Sequence, residues 1–428
     1  MNCLSLTTGT KRTLIAIAAL FAALALCYSF ATKLKYGPDE PAHFIYIRSL
    51  AIDFTPPEIS HVETPTEEGT SSHEGHQPPL YYTIMAVPYA ALDACAVPAD
   101  TIWRVLRLLT IPIGVLWLFA VFALTREFFG RDDYSLVTTV FVALIPTASY
   151  MAGVVNNESL ISLLFTAAML PILRFFKTGK SGAREAVLLG LVMGLAVIAK
   201  AQGLLLVPML LLAGFVACRR RGYTNCVDAL KTVGIALGVA VLVSGWWYVR
   251  CWVLYGTALP HSLYRPLAPS LVDLILAPSG PEYAAVSTRG LYAYFWVPFW
   301  LIWKRINSFN AYFYPLCVVT LAGLTGLVVR LRRAKDLDLG SLVFLLCAPL
   351  LTYVFWLHYV LVVDPNANLQ GRLMLGVAAI VGIVSVLGFD GLLPSVRAKR
   401  IGVAVGAGIM LLANIGVIGC AVWLYSGS

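Results

Sequence analysis

Charge is what this sequence has least of. Asp, Glu, Lys and Arg make up 12% of its 428 residues, where soluble domains carry roughly 25%. That scarcity argues against a soluble enzyme, and 59% hydrophobic residues predict an all-α integral membrane protein of many spans. Several local patterns are also missing. The nine cysteines contain no C-x-x-C pair, so no metal or redox framework is expected. Cys27, Cys218, Cys251, Cys317, Cys347 and Cys420 lie in or beside apolar runs and read as small packing residues. No glycine-rich phosphate cradle is found, so no nucleotide-sugar site is expected. A transporter should place ionisable groups mid-span and show repeat symmetry; the chain has no internal repeat and almost no charge inside its apolar runs.

The charge that remains is placed with order. The formal net charge is +9, and its basic clusters sit in short loops: Lys11-Arg12, Arg126/Arg131, Lys177/Lys180/Arg184, Arg219–Arg221, Arg330–Lys335 and Arg397/Lys399/Arg400. The segment 82–95 is too short to span and is interrupted by Pro88 and Asp93. If it does not cross, every cluster falls on one side, as the positive-inside rule requires. The basic surplus then expresses topology, not a nucleic-acid partner. Eleven spans are predicted: 13–31, 104–124, 134–153, 158–175, 185–199, 203–218, 230–250, 310–329, 341–362, 373–391 and 402–425. The N-terminus is expected in the cytoplasm and the C-terminus on the far side. The first span has a basic flank and a Ser29-Phe30-Ala31 site, but reads as uncleaved. One transmembrane domain, 1–428, is expected, with two extracytoplasmic loops, 32–103 and 251–309. The first should carry juxtamembrane helices, including 82–95. In the second, Tyr292–Ile302 should form an interfacial aromatic belt.

Residues 35–48, Lys-Tyr-Gly-Pro-Asp-Glu-Pro-Ala-His-Phe-Ile-Tyr-Ile-Arg, put two adjacent acids, Asp39 and Glu40, at the membrane edge with His43 close behind. Asp39 at a helix N-cap, with Pro41 in the first turn, is one reading. A general base kept ionised by the helix dipole is another. A divalent-metal site made with His43 is a third. His73-Glu74-Gly75-His76 lacks the zinc-protease spacing, and Gly75 breaks the helix it would need. Lys200, Arg250, Arg265, Arg289, Arg305 and Arg372 stand on the side where positive residues are disfavoured. Together they suggest a bound anion. Phosphate fits best, because Arg grips it with two parallel hydrogen bonds.

Four short motifs then resemble one family. They are Pro38-Asp39-Glu40-Pro41-Ala42-His43, Gln77-Pro78-Pro79-Leu80-Tyr81-Tyr82, Asn156-Asn157-Glu158 and Gln370-Gly371-Arg372. Their order across 35–372 resembles the GT-C membrane glycosyltransferases, in particular bacterial multi-span proteins related to protein mannosyltransferases and lipid A aminoarabinose transferases. Two positions depart from the pattern: Glu158 stands where Asp is usual, and Leu373, not an aromatic, follows Arg372. The resemblance implies a GT-C-like bundle in the bacterial inner membrane, a polyprenyl-phosphate sugar donor, and an extracytoplasmic glycan, lipid or protein acceptor. It implies Asp39 as general base, with Glu40 beside it shaping the acceptor or a metal site. Substrate contacts would come from His43, His76, Gln77, Tyr81, Asn157, Glu158 and Gln370. Lys200, Arg250, Arg265, Arg289 and Arg372 would hold the phosphate. The alternatives are a transporter or flippase of a lipid-linked or anionic solute, or a non-catalytic protein that binds lipid-linked glycans.

Overall fold

The structure, a computed structural model, describes residues 6–59, 73–221, 223–260, 280–298, 309–333, 337–359 and 370–425, and among these it is helical with no strand. The helices are α1 (Thr8–Ala31), α2 (Glu40–Ile52), α3 (Leu80–Ala94), α4 (Ala99–Phe129), α5 (Asp132–Ala143), α6 (Pro146–Ala152), α7 (Glu158–Thr178) and α8 (Ala183–Ala199). They continue with α9 (Leu206–Arg221), α10 (Tyr223–Tyr255), α11 (Gly280–Trp296), α12 (Phe309–Arg333), α13 (Leu339–His358), α14 (Ala378–Leu392) and α15 (Val396–Tyr425). Short 3₁₀ turns precede α9 (Ala201–Leu205) and α14 (Gly371–Val377).

Among the described residues, nine helices, some counted with their 3₁₀ turn, are long and apolar enough to cross a membrane, and ten if the bent pair α5–α6 is one span. The 17-residue α8, about 26 Å long at 1.5 Å per residue, is the remaining one of the eleven expected segments and is too short to be counted with these. α3, at 15 residues, is too short for a hydrocarbon core of about 30 Å. It packs on α2 through Tyr46 and Tyr82, whose rings stack 3.9 Å apart. Both lie within the segment 32–103.

The bundle is fastened differently at its two ends. At the end where α1 begins, Thr10 donates to Asp132, and Arg126 pairs with the same carboxylate at 2.7 Å. Arg174 pairs with Glu127, and Arg330 and Lys399 pair with Asp390. These are the basic loop clusters of the sequence, gathered at one end. Cys218 and Cys226 face each other across the α9–α10 turn. The end where α1 stops carries Asp39 and its neighbours.

One span is broken. α5 and α6 meet at a 69° bend, where Pro146 heads α6 and cannot continue the helix before it. Backbone groups freed inside an apolar bundle need partners. Ser149 donates to the Ala143 carbonyl at 3.1 Å, and Asn414 of α15 donates to the Leu144 carbonyl at 2.9 Å. Tyr28 of α1 donates to the Asn414 Oδ1 in turn. Asn414 and Ala421 are the buried residues described on α15, so this latch is its main polar tie to the bundle. Asn414→Leu keeps the size and removes the bonds. It is expected to cost about 1–3 kcal/mol and lower the thermal unfolding midpoint in detergent; an unchanged midpoint would show that the latch contributes nothing.

Candidate active site

The loop between α1 and α2 turns sharply. Lys35 and Asp39 both adopt positive φ, 72° and 54°. A non-glycine residue held there costs of order 1–3 kcal/mol and persists only where surroundings enforce it. The enforcing contact is Glu40. It is fully buried, and Arg107 of α4 grips it side-on, Nε to Oε1 at 2.7 Å and Nη2 to Oε2 at 2.6 Å. Backbone N–H groups of Val155 and Gly37 each add a bond at 3.0 Å. A carboxylate offers about four acceptor positions, and all four are taken. A side chain at Gly37 would place its Cβ 2.9 Å from the Glu40 carboxyl, which explains the glycine. Glu40 therefore departs from the expected role: it is a closed structural anchor, with no lone pair left for an acceptor or a metal.

Asp39, beside it, points elsewhere. It occupies the N-cap position of α2 but makes no side-chain cap bond, so the capping reading does not hold. Its Oδ2 accepts from Nη2 of Arg372 at 2.5 Å, across 333 residues of sequence. Arg372 sits in the 3₁₀ turn before α14. That turn lies so close to α11 that a Cβ on Gly371 would fall 1.7 Å from the Phe295 nitrogen, so the Gly of Gln370-Gly371-Arg372 is a packing requirement. The Asp39 side chain is 29% exposed. The other carboxylates of the cluster are nearly closed, Glu158 at 2% and Glu74 at 8%.

Around this pair the expected residues divide. Lys200 donates to Glu158 in a buried ion pair, its ammonium 5.8 Å from the Trp356 ring centroid. Asn156 builds the turn ahead of α7, donating to the Met151 and Val154 carbonyls and accepting from Glu158 N–H. Asn157 donates to the Gln77 side chain at 3.3 Å. Tyr81 is fully buried, its hydroxyl bonded to Thr110 and accepting from Asn156 N–H; it is a strut, not a substrate contact. His76 lies half-buried at the end of the 3₁₀ turn His73–His76. Gln370 and Arg372 line a small pocket with Pro38, Thr147, Tyr150 and Tyr294. Two polar atoms here are buried with no hydrogen-bond partner, Nε of Arg372 and the Tyr150 hydroxyl. Arg289 is exposed on α11, its charge acting on Tyr294. Arg250 is set apart: it donates to the Pro56 carbonyl at 3.3 Å and lies over Trp247, pinning the loop after α2. Arg265 and Arg305 lie outside the described residues.

Four residues of the site, Arg107, Glu74, Tyr82 and Tyr150, were given no role from sequence. Arg107 stands at the start of a predicted span, where the argument about misplaced cations would have found it. Glu74 lies 4.0 Å from His43 Nδ1, and Tyr82 bonds the same nitrogen at 2.9 Å. Among the described residues no three His, Cys, Asp or Glu side chains converge to hold a metal ion. His43 is 3% exposed. Burial lowers its pKa to about 4, against the opposing pull of Glu74 and Asp39 and with help from Arg372 and Lys200. Burial likewise keeps the Tyr82 phenol neutral, well above its ordinary range.

No family model matches the sequence, and no curated protein matches it. Solved structures do. The oligosaccharyltransferase AglB of Archaeoglobus fulgidus, in complex with an inhibitory peptide and a dolichol-phosphate, aligns over 97% of this chain and 56% of its own, with a TM-score of 0.55 and 14% identity. ArnT of Cupriavidus metallidurans, bound to undecaprenyl phosphate, aligns over 95% of this chain and 65% of its own, with a TM-score of 0.51 and 16% identity. The chain thus spans a little over half to about two thirds of the length of these neighbours. It shares the all-helical fold of these two structures, the fold class that the sequence motifs implied.

Glu40→Gln leaves the Arg107 charge buried and unpaired. It is expected to cost about 3–5 kcal/mol, seen as a loss of folded, monodisperse protein in detergent; recovery at the wild-type midpoint would contradict the anchoring role. His43 supplies a pH test. Its pKa falls from 6.5 in the unfolded chain to about 4 when folded, so between these values the unfolded state binds the extra proton. Stability is expected to be full above about pH 6.5 and to decline as pH falls towards 4. His43→Gln should flatten the fall in unfolding midpoint between pH 7 and 5.

Proposed function

We propose that this protein is a membrane glycosyltransferase that moves a sugar from a polyprenyl-phosphate-linked donor to an acceptor hydroxyl on the extracytoplasmic face, with Asp39 as general base. The observation that carries this reading is the contrast between adjacent acids. Glu40 is saturated and closed, whereas Asp39 is partly open and paired to Arg372 beside a pocket with two unsatisfied donors. The neighbours bound to undecaprenyl phosphate and in complex with a dolichol-phosphate support the donor class. The gathering of the basic loop clusters at the opposite end supports the outward orientation.

The step balances simply. The acceptor oxygen attacks the anomeric carbon while Asp39 takes its proton. The bond from that carbon to the phosphate oxygen breaks, and its electron pair stays on the lipid phosphate. Arg372 meets the charge that develops there, and the Tyr150 hydroxyl lies in the same pocket as a further donor. Lys200 is held by Glu158 and adds positive potential behind the site. His43, Glu74 and Tyr82 form the wall, and Asn157 and Gln77 lie along its edge. A flippase would carry its charges along the translocation path; here the ion pairs stand at the two ends of the bundle.

Asp39→Asn is expected to reduce transfer of labelled sugar from a polyprenyl-phosphate donor by about a hundred- to ten-thousandfold, with the unfolding midpoint retained. Transfer at the wild-type rate would remove Asp39 from the mechanism.

A further inference from the structure

We infer that Arg372 is shared between Asp39 and the donor phosphate, so that arrival of the lipid phosphate is what releases the base. This rests on the glycosyl-transfer reading above and adds a gating step to it.

The two arginine–carboxylate pairs of the site make the argument by comparison. A guanidinium presents Nε–H and one Nη2–H along one edge, a fork that fits two oxygens of one anion. Arg107 uses that edge in full, with Nε and Nη2 each on one oxygen of Glu40. Arg372 uses the same edge by half. Nη2 is on Asp39 Oδ2, and Nε is buried with no partner. Its remaining bond, from Nη1 to the Pro38 carbonyl, is long at 3.5 Å. The resting fork is thus occupied by an anion that fills only one of its two positions.

The donor's phosphodiester, taking both positions with its two non-bridging oxygens, must remove Asp39 from Nη2. The unsatisfied Tyr150 hydroxyl lines the same pocket and can donate to one of them. The carboxylate gives up one hydrogen bond to a cation, and the phosphate gains at least two. Asp39 is not otherwise held as a helix cap, so the exchange breaks no cap. While paired, Oδ2 is engaged by the guanidinium and the base is quenched. Once displaced, it faces the acceptor. Activation of the acceptor therefore follows donor binding, and no proton or covalent bond changes hands in the exchange itself.

The geometry makes an unusual prediction: removing the proposed base should tighten binding of the lipid phosphate. Undecaprenyl phosphate is titrated into the full chain purified in detergent, with intrinsic tryptophan fluorescence or native mass spectrometry as readout. Asp39→Asn is expected to lower Kd about tenfold, with Asp39→Ala standing in should the first variant not be recovered. Arg372→Lys, which keeps the charge but loses the fork, should raise Kd. Asp53→Asn separates a shared fork from general repulsion, because it removes an exposed carboxylate at the far end of α2, outside the site. It should change Kd by less than about twofold. If the wild type binds and Asp39→Asn binds no more tightly, or if Asp53→Asn tightens binding equally, the exchange is wrong and the transfer reading stands. If the wild type does not bind undecaprenyl phosphate at all, the donor assignment falls and the exchange falls with it.

Discussion

The buried pair of Arg107 and Glu40 is the constraint from which the rest of the site follows. Taking both charges out of water is costly, and only full hydrogen bonding offsets it. Arg107 meets that condition with all five of its N–H donors: two on Glu40, and one each on the carbonyls of Ser29, Thr32 and Lys33. The pair therefore ties the end of α1, the following loop, the start of α2 and α4 into one knot. Val155 joins it from the turn before α7. With Glu40 turned inward, its neighbour must turn outward, and the positive φ of Asp39 is the local expression of that demand.

Two adjacent acids thus do opposite work. Glu40 trades all accessibility for rigidity. Asp39 keeps part of its surface open at the edge of the bundle and pairs with Arg372, far along the chain. The bend between α5 and α6 and the close approach of the 371–377 turn to α11 bring Tyr150 and Arg372 to the same spot. Backbone-level packing sets these positions, since α6 carries Tyr150 and the 371–377 turn carries Arg372.

Much of this was legible in the sequence because it depends on local patterns. The long apolar helices, the short helix α3 and the turn at Lys35–Arg48 follow from apolar run length and prolines. Which partner each charge takes is not a local property. Arg372 and Asp39 lie far apart in sequence, as do Lys200 and Glu158, and nothing in a run of residues distinguishes the cation that reaches the site from Arg250, which pins a loop. Glu74 was hidden inside a motif weighed for metal spacing, and Arg107 inside a run counted as span. The closing of Glu40 was invisible for the same reason, since its four donors come from three separate segments.

The Asn414 latch also orders events in time. Membrane helices enter the bilayer in sequence, so the bend at Leu144 is made long before α15 exists. For the 270 residues in between, the Leu144 carbonyl must be met by water or by a helix not yet broken. The kink that aims α6 is therefore finished by a helix inserted some 270 residues later. A ribosome stalled short of α15 would leave Asp39, Arg107 and Arg372 already made and the span beside them still unset.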